Sequence, residues 1–134
     1  MNLIEKLLQV DKEKLTEEQT KTYNSKNMER LVGDGAITLK KVKERKVKER
    51  LALTIDKKGN TDMNKVHDAS LLLVMDGVKV PDLRDERLLQ HFGMSTPKDL
   101  AELLFDGEIS EIADQISDFY GDEGDGTTEE DIKN

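Results

Sequence analysis

The sequence predicts a mainly α, α+β fold: a small helical domain with an N-terminal β-hairpin and a disordered acidic C-terminal tail. Three observations predict it. Ile109, Ile112, Ala113, Ile116 and Phe119 recur at intervals of three and four, the period of a helix with one buried stripe. Ile37 and Leu39 alternate with polar neighbours just after the turn signal Val32-Gly33-Asp34-Gly35, a hairpin pattern. The acidic end has no apolar anchor except Ile132, too little to bury against the entropy of ordering. The organisation expected is an N-terminal helix and linker over 1–20, a hairpin plus helical domain over 21–120, and a flexible acidic tail over 121–134.

The elements follow in order. Leu3, Ile4, Leu7 and Leu8 fall on one side of a short amphipathic helix. Asp11 to Thr20 is polar and charged and reads as a linker. Lys21 to Leu31 reads as an edge strand and Ala36 to Val42 as its hairpin partner. Both are polar enough that the pair must lean on another element. From Lys43 the pattern turns helical, with Val47, Leu51 and Ile55 on one stripe and Gly59 as a left-handed stop near Asp56-Lys57-Lys58-Gly59-Asn60. Thr61 or Asp62 caps a second helix, Met63 to Asp76, closed by Gly77. It carries Leu71-Leu72-Leu73-Val74-Met75, apolar on every face, and so is either a central helix or a surface that another molecule covers. Val80-Pro81-Asp82 breaks the chain. A short helix from Asp85 to Phe92 is expected to bury Leu88, Leu89 and Phe92 and to stop at Gly93. Ser95-Thr96-Pro97 supplies a hydroxyl cap and a first-turn proline for a helix through Leu100, Leu103 and Leu104. Phe105-Asp106-Gly107 is the break before the last helix.

Charge and composition exclude several kinds of function. The chain has 134 residues, a formal net charge of −8, 37% charged residues and no cysteine. Disulfides, thiolate metal sites and cysteine nucleophiles are therefore absent. No apolar run approaches the roughly 20 residues that span a bilayer, and Met1 to Lys6 lacks the pattern of a signal peptide, so a soluble intracellular protein without a membrane partner is expected. His67 and His91 stand in no ligand spacing. Aligning Gly126 with the central glycine of a calcium loop puts Gly121 at the first ligand and Ile132 at the bidentate one, which removes an EF-hand. There is no phosphate-cradling glycine pattern and no nucleophile elbow. The paired carboxylates show no apolar setting that would split their roles. The reading is a non-enzyme with no cofactor and no metal. Lys40 to Arg50 is strongly basic and keeps a small nucleic-acid-binding regulator open as an alternative. Against it stand the net negative charge, the lack of aromatic residues in that tract for base stacking, and Glu44–Lys48 spacing that suits a solvated helix face.

The order and spacing of the middle and C-terminal segments carry a resemblance. The residues are Leu53-Thr54-Ile55-Asp56-Lys57-Lys58-Gly59-Asn60, Val80-Pro81-Asp82-Leu83-Arg84-Asp85, Leu88 to Gly93, and Ser95-Thr96-Pro97-Lys98-Asp99-Leu100. Leu103-Leu104-Phe105-Asp106-Gly107-Glu108-Ile109 follows, with Ile112 and Ile116. Over about residues 53 to 120 this resembles the XkdN-like tail assembly chaperones of long-tailed bacteriophages and prophages. The resemblance implies a protein of the host bacterial cytoplasm that binds the tape measure protein, keeps it soluble until tail tube subunits polymerise around it, and is absent from the mature virion. A structural minor tail protein is the other reading. For such a client the partner-binding candidates are Leu71, Leu72, Val74, Met75, Met94, Leu104 and Phe105, as a groove for an amphipathic helix with adaptable methionines. The same Leu71 to Met75 side chains can equally be core. Glu108, Glu111, Asp114 and Asp118 are expected as an acidic solubilising face, and an exposed apolar helix would permit a homo-oligomer.

Overall fold

The computed structural model describes residues 1–124, with side chains through Phe119. The chain begins as an arm. Helix α1 (Leu3–Leu7) is closed by a reciprocal cap: the Asn2 side chain accepts from the Glu5 N–H at 2.9 Å, and the Glu5 carboxylate accepts from the Asn2 N–H at 3.0 Å. The expected linker holds a second short helix, α2 (Lys12–Thr16), because Lys12 to Leu15 are all good helix formers. Every residue from 1 to 20 is exposed.

The sheet contains the expected antiparallel pair with a different connection. Strand β1 (Thr20–Asn24) pairs with β2 (Ala36–Lys40), from Thr20 opposite Lys40 to Asn24 opposite Ala36. The strand expected over 21–31 stops at Asn24. Ser25 then caps helix α3 (Lys26–Val32), its hydroxyl accepting from the Met28 N–H at 3.2 Å. Gly33, at φ +80°, ends that helix in the left-handed region, so the glycine signal is a helix C-cap and not a hairpin turn. The Ser25 N–H reaches the Gly35 carbonyl at 2.7 Å and closes the crossover.

Helix α4 (Glu44–Ala52) buries Val47 but leaves Leu51 and Ile55 about half exposed. It ends before Asp56 because that carboxylate accepts from the Lys58 and Asn60 N–H groups, both at 2.9 Å, and builds a separate turn. Gly59, at φ +85°, lies in this turn, which an Ile55–Thr61 bridge closes. Asp62 caps α5 (Met63–Gly77), as expected. Strand β3 (Val78–Val80) follows without a loop and pairs antiparallel with β2, giving the order β1-β2-β3. Three residues before a proline are too few for alternation to announce a strand. Helix α6 (Glu86–His91) is capped by Asp85. Its Leu88 and Leu89 are only half-buried and Phe92 is 40% exposed, short of the burial expected for all three. Thr96 and Pro97 open α7 (Pro97–Leu104) as expected. After Gly107, α8 (Ile109–Gly124) buries Ile109, Ile112, Ala113, Ile116 and Phe119 on one stripe. It continues past Tyr120 to Gly124; the rest of the tail expected over 121–134 lies outside the described residues.

Helix α5 is the hub of the packing, with α4, α7 and α8 against it. Its Leu71, Leu73 and Val74 join Leu39, Leu83, Leu100, Phe105, Ile112 and Ile116 in one core. The approach of α5 and α8 requires a glycine: a Cβ built at Gly77 falls 2.5 Å from Ile116 Cδ1.

A polar seam ties the sheet side to the helices. Glu108 is 7% exposed and accepts from the Ser25 hydroxyl and the Lys26 N–H, both at 2.7 Å. The Asn27 amide donates to the carbonyls of Leu104 at 3.2 Å and Asp106 at 2.8 Å, filling acceptors left open at the end of α7. The Tyr23 hydroxyl donates to Glu111 at 2.9 Å. Burial, then that bond, pushes the Tyr23 phenol well above its usual range.

Two stability predictions follow from this packing. Glu108→Ala strands a buried hydroxyl and a helix-terminal N–H, and should lower unfolding stability by about 3 kcal/mol; a loss under about 1 kcal/mol in urea titration contradicts the seam's role. Gly77→Ala should cost about 1–3 kcal/mol through forced separation of α5 and α8, read as a lower urea midpoint at unchanged slope.

Candidate functional site

The chemistry-bearing side chains do not converge. Among the described residues no group of three or more His, Asp or Glu is placed to hold a metal ion. His67 Nε2 lies 3.1 Å from Glu102 Oε2 with both side chains about half exposed. His91 packs edge-on against Phe92, ring centres 4.7 Å apart. No described helix is long and apolar enough to cross a membrane.

The basic tract spans the end of β2, the connection after it and one face of α4. On α4, Lys48 pairs with Glu44 at 3.3 Å and Lys46 with Glu49 at 3.9 Å. Arg50 grips Asp76 of α5 with Nε at 3.0 Å and Nη2 at 3.2 Å. That pair is largely buried and two-pronged, so Arg50 fastens α4 to the hub helix. The bond to Asp76 raises the Arg50 pKa further.

The seven residues expected to hold a partner divide. Leu71, Val74, Leu104 and Phe105 are buried in the core, and Leu72, Met75 and Met94 are half-buried. The run Leu71 to Met75 is apolar all round because three helices cover it, so most of it is interior and not an open surface. Met94 packs against the core and also lines a polar-rimmed hollow with Ser95, Asp99, Glu102 and Asp106. Of the four acids expected on a solubilising face, Glu111, Asp114 and Asp118 are exposed, while Glu108 is spent inside the seam.

The open apolar surface is elsewhere. A groove of about 500 Å³ runs between α3, the sheet and α6. Helix α3 supplies Met28, Leu31 and Val32; β2 supplies Ala36 and Ile37; Val80 and Pro81 follow from β3; Leu88 and Phe92 come from α6 and its end; Leu104 comes from α7. Asp34 is the one charged residue in the lining. The floor is fixed, with Ile37, Met28 and Leu104 each under 9% exposed. The rim is open: Leu31 is 54%, Val32 72%, Val80 51% and Phe92 40% exposed. Such a lining suits apolar ligand surface with few polar constraints. Beside it, the Arg87 guanidinium bonded to Asp85 holds the α6 cap carboxyl down at about 2.

Sequence reasoning missed this groove because its residues are scattered from 28 to 104 and α3 reads as a strand. The available signal was Leu31-Val32 directly before Gly33-Asp34-Gly35: two apolar residues at a chain stop have no later turn of their own helix to pack against.

Comparison with curated proteins and with solved structures gives no match. A family model described as phage XkdN-like tail assembly chaperone protein matches residues 4–133, which takes in the sheet, the basic tract and the groove as well as the segments that first carried the resemblance. The chain therefore belongs to the phage XkdN-like tail assembly chaperone family.

Proposed function

We propose that this protein binds the tape measure protein during tail morphogenesis, keeps it soluble and helps bring tail tube subunits to it. The groove between α3, the sheet and α6 receives an amphipathic helix of the client. One observation carries the reading: an open apolar groove on a chain that is otherwise 37% charged. A client helix laid apolar face down would cover Leu31, Val32, Val80 and Phe92, while the charged exterior keeps the loaded pair dissolved. The exposed acids of α8 attract basic client segments over about 8 Å at physiological salt. The work is binding and release, without a bond made or broken. It belongs to the host bacterial cytoplasm, before the virion is complete. The regulator reading is weakened by the basic tract itself, where Lys46, Lys48 and Arg50 each already face a carboxylate.

Co-expression with the tape measure protein tests the proposal. The client should stay in the soluble fraction with the wild-type chain and pass to the insoluble fraction with Leu31→Asp/Phe92→Asp. Each lost apolar contact is worth about 1.5–3 kcal/mol, so affinity should fall at least about tenfold per side chain. Both residues are exposed, so the melting behaviour should change by no more than about 0.5 kcal/mol. Equal client solubility with the wild type and the variant refutes the groove as the seat. A chaperone that leaves should also be missing from purified particles, where a minor tail protein would be found by mass spectrometry.

A further inference from the structure

A second open surface lies at the other end of the sheet from the groove. A hollow of about 530 Å³ forms between the end of α2 and the end of β2. Its bases are Lys40, Lys41 and Lys43, and its acids are Glu17 and Glu18. Glu18 is engaged by Lys79 of β3. That bond lowers the Glu18 pKa, and charge from Lys79 and then Lys40 acts in the same direction. Leu15, 72% exposed, gives the hollow an apolar wall.

Helix α8 points the chain at this hollow. Glu111, early in α8, meets the Tyr23 hydroxyl. Phe119, about two turns later, lies against Lys21, whose Nζ is 4.6 Å from the ring centre. The helix therefore runs along β1 from Tyr23 back towards Thr20. Its continuation leads to Gln19, whose carbonyl accepts from the Lys41 N–H at 2.9 Å. From Lys21 to Gln19 is about 7 Å at about 3.4 Å per strand residue. Residues 125–134 lie outside the described residues. Their sequence holds Asp125, Glu129, Glu130 and Asp131 against Lys133, with Ile132 as the one large apolar side chain. The step from Gly124 to Glu129 reaches up to about 17 Å, ample for that gap.

We infer that the acidic segment Glu129-Glu130-Asp131-Ile132 docks in this hollow of its own chain. Its carboxylates meet Lys40, Lys41 and Lys43, and Ile132 covers Leu15. Position and charge select this occupant. The segment is tethered beside the hollow, so its effective concentration there exceeds that of a free acidic chain. Opposite charges attract over about 8 Å at physiological salt. Charge supplies the attraction, so a shortage of apolar anchors does not oppose it. The docked segment covers the start of the basic tract, ahead of the α4 bases that pair with Glu44, Glu49 and Asp76. An anionic molecule reaching for that surface has to displace it.

The chain has no cysteine, so Thr128→Cys in the full chain takes a single nitroxide. Amide signals of residues 15–19 and 40–43 should then lose most of their intensity, while those of the α3–α6 groove keep theirs. Glu129→Gln/Glu130→Gln/Asp131→Asn should restore the lost signals with unchanged circular dichroism. Lys40→Glu/Lys43→Glu should restore them as well. Adding Glu129→Lys/Glu130→Lys to that variant should bring the loss back, which a misfolded chain would not do. Signals that keep their intensity in the wild-type background, loss that survives neutralisation of the acids, or a charge exchange without effect overturns the inference. Loss that arises when tagged molecules are mixed with untagged, nitrogen-labelled ones reports contact between copies and overturns it too.

Discussion

Glu108 places a carboxylate inside the protein and offers it two donors, the Ser25 hydroxyl and the Lys26 N–H. A buried carboxylate is tolerable only with its acceptor sites filled, and a helix start offers unpaired N–H groups and a favourable dipole end. The first turn of α3 is thereby fixed to the turn between α7 and α8, more than 80 residues along the chain. Asn27 and Tyr23 add bonds along the same seam. With α3 held there, its later residues Leu31 and Val32 extend beyond the core and form one wall of the groove. The same link that completes the fold sets the shape of its open surface.

The hub helix shows how burial sorts side chains that look alike in sequence. Leu71 and Val74 are as apolar as Leu31 and Val32, but α5 has α4, α7 and α8 around it, whereas Leu31 and Val32 at the end of α3 are 54% and 72% exposed. A chain this charged concentrates its apolar residues, and nearly all that reach the interior stay there. Exposed apolar residues include a rim on α3, β3 and α6, the stripe on α1, and side chains such as Leu51, Ile55, Met63 and Leu103. Exposed apolar area is a source of binding affinity, and a modest extent of it permits release.

Charge has a different part. Arg50 and Asp76 are structural, nearly enclosed and two-pronged. The remaining bases of α4 lie at helical spacing from Glu44 and Glu49 and keep that face hydrated. Glu111, Asp114 and Asp118 of α8 are exposed, while Glu108 just before it is buried. Charge thus keeps the exterior hydrated and supplies one inter-helix strap, while apolar geometry shapes the open groove.

By itself, the sequence determined the mainly helical class, the β1–β2 pairing, a cap at Thr61 or Asp62 and a helix start at Ser95-Thr96-Pro97, the buried stripe of α8 and the family. These rest on local periodicity and on residues that act within a turn of themselves. It did not determine that Ser25 begins a helix, that Val78–Val80 is a strand, that Leu51, Ile55 and Phe92 stay exposed, or that a groove forms between α3 and α6. Each of those depends on which distant segment lies alongside. Ser25 caps a helix held by Glu108, and Val78 finds Leu39 only once α5 has laid it against the sheet. The tertiary structure decided the open apolar surface because exposure is a property of neighbours, and neighbours far apart in sequence leave no local pattern.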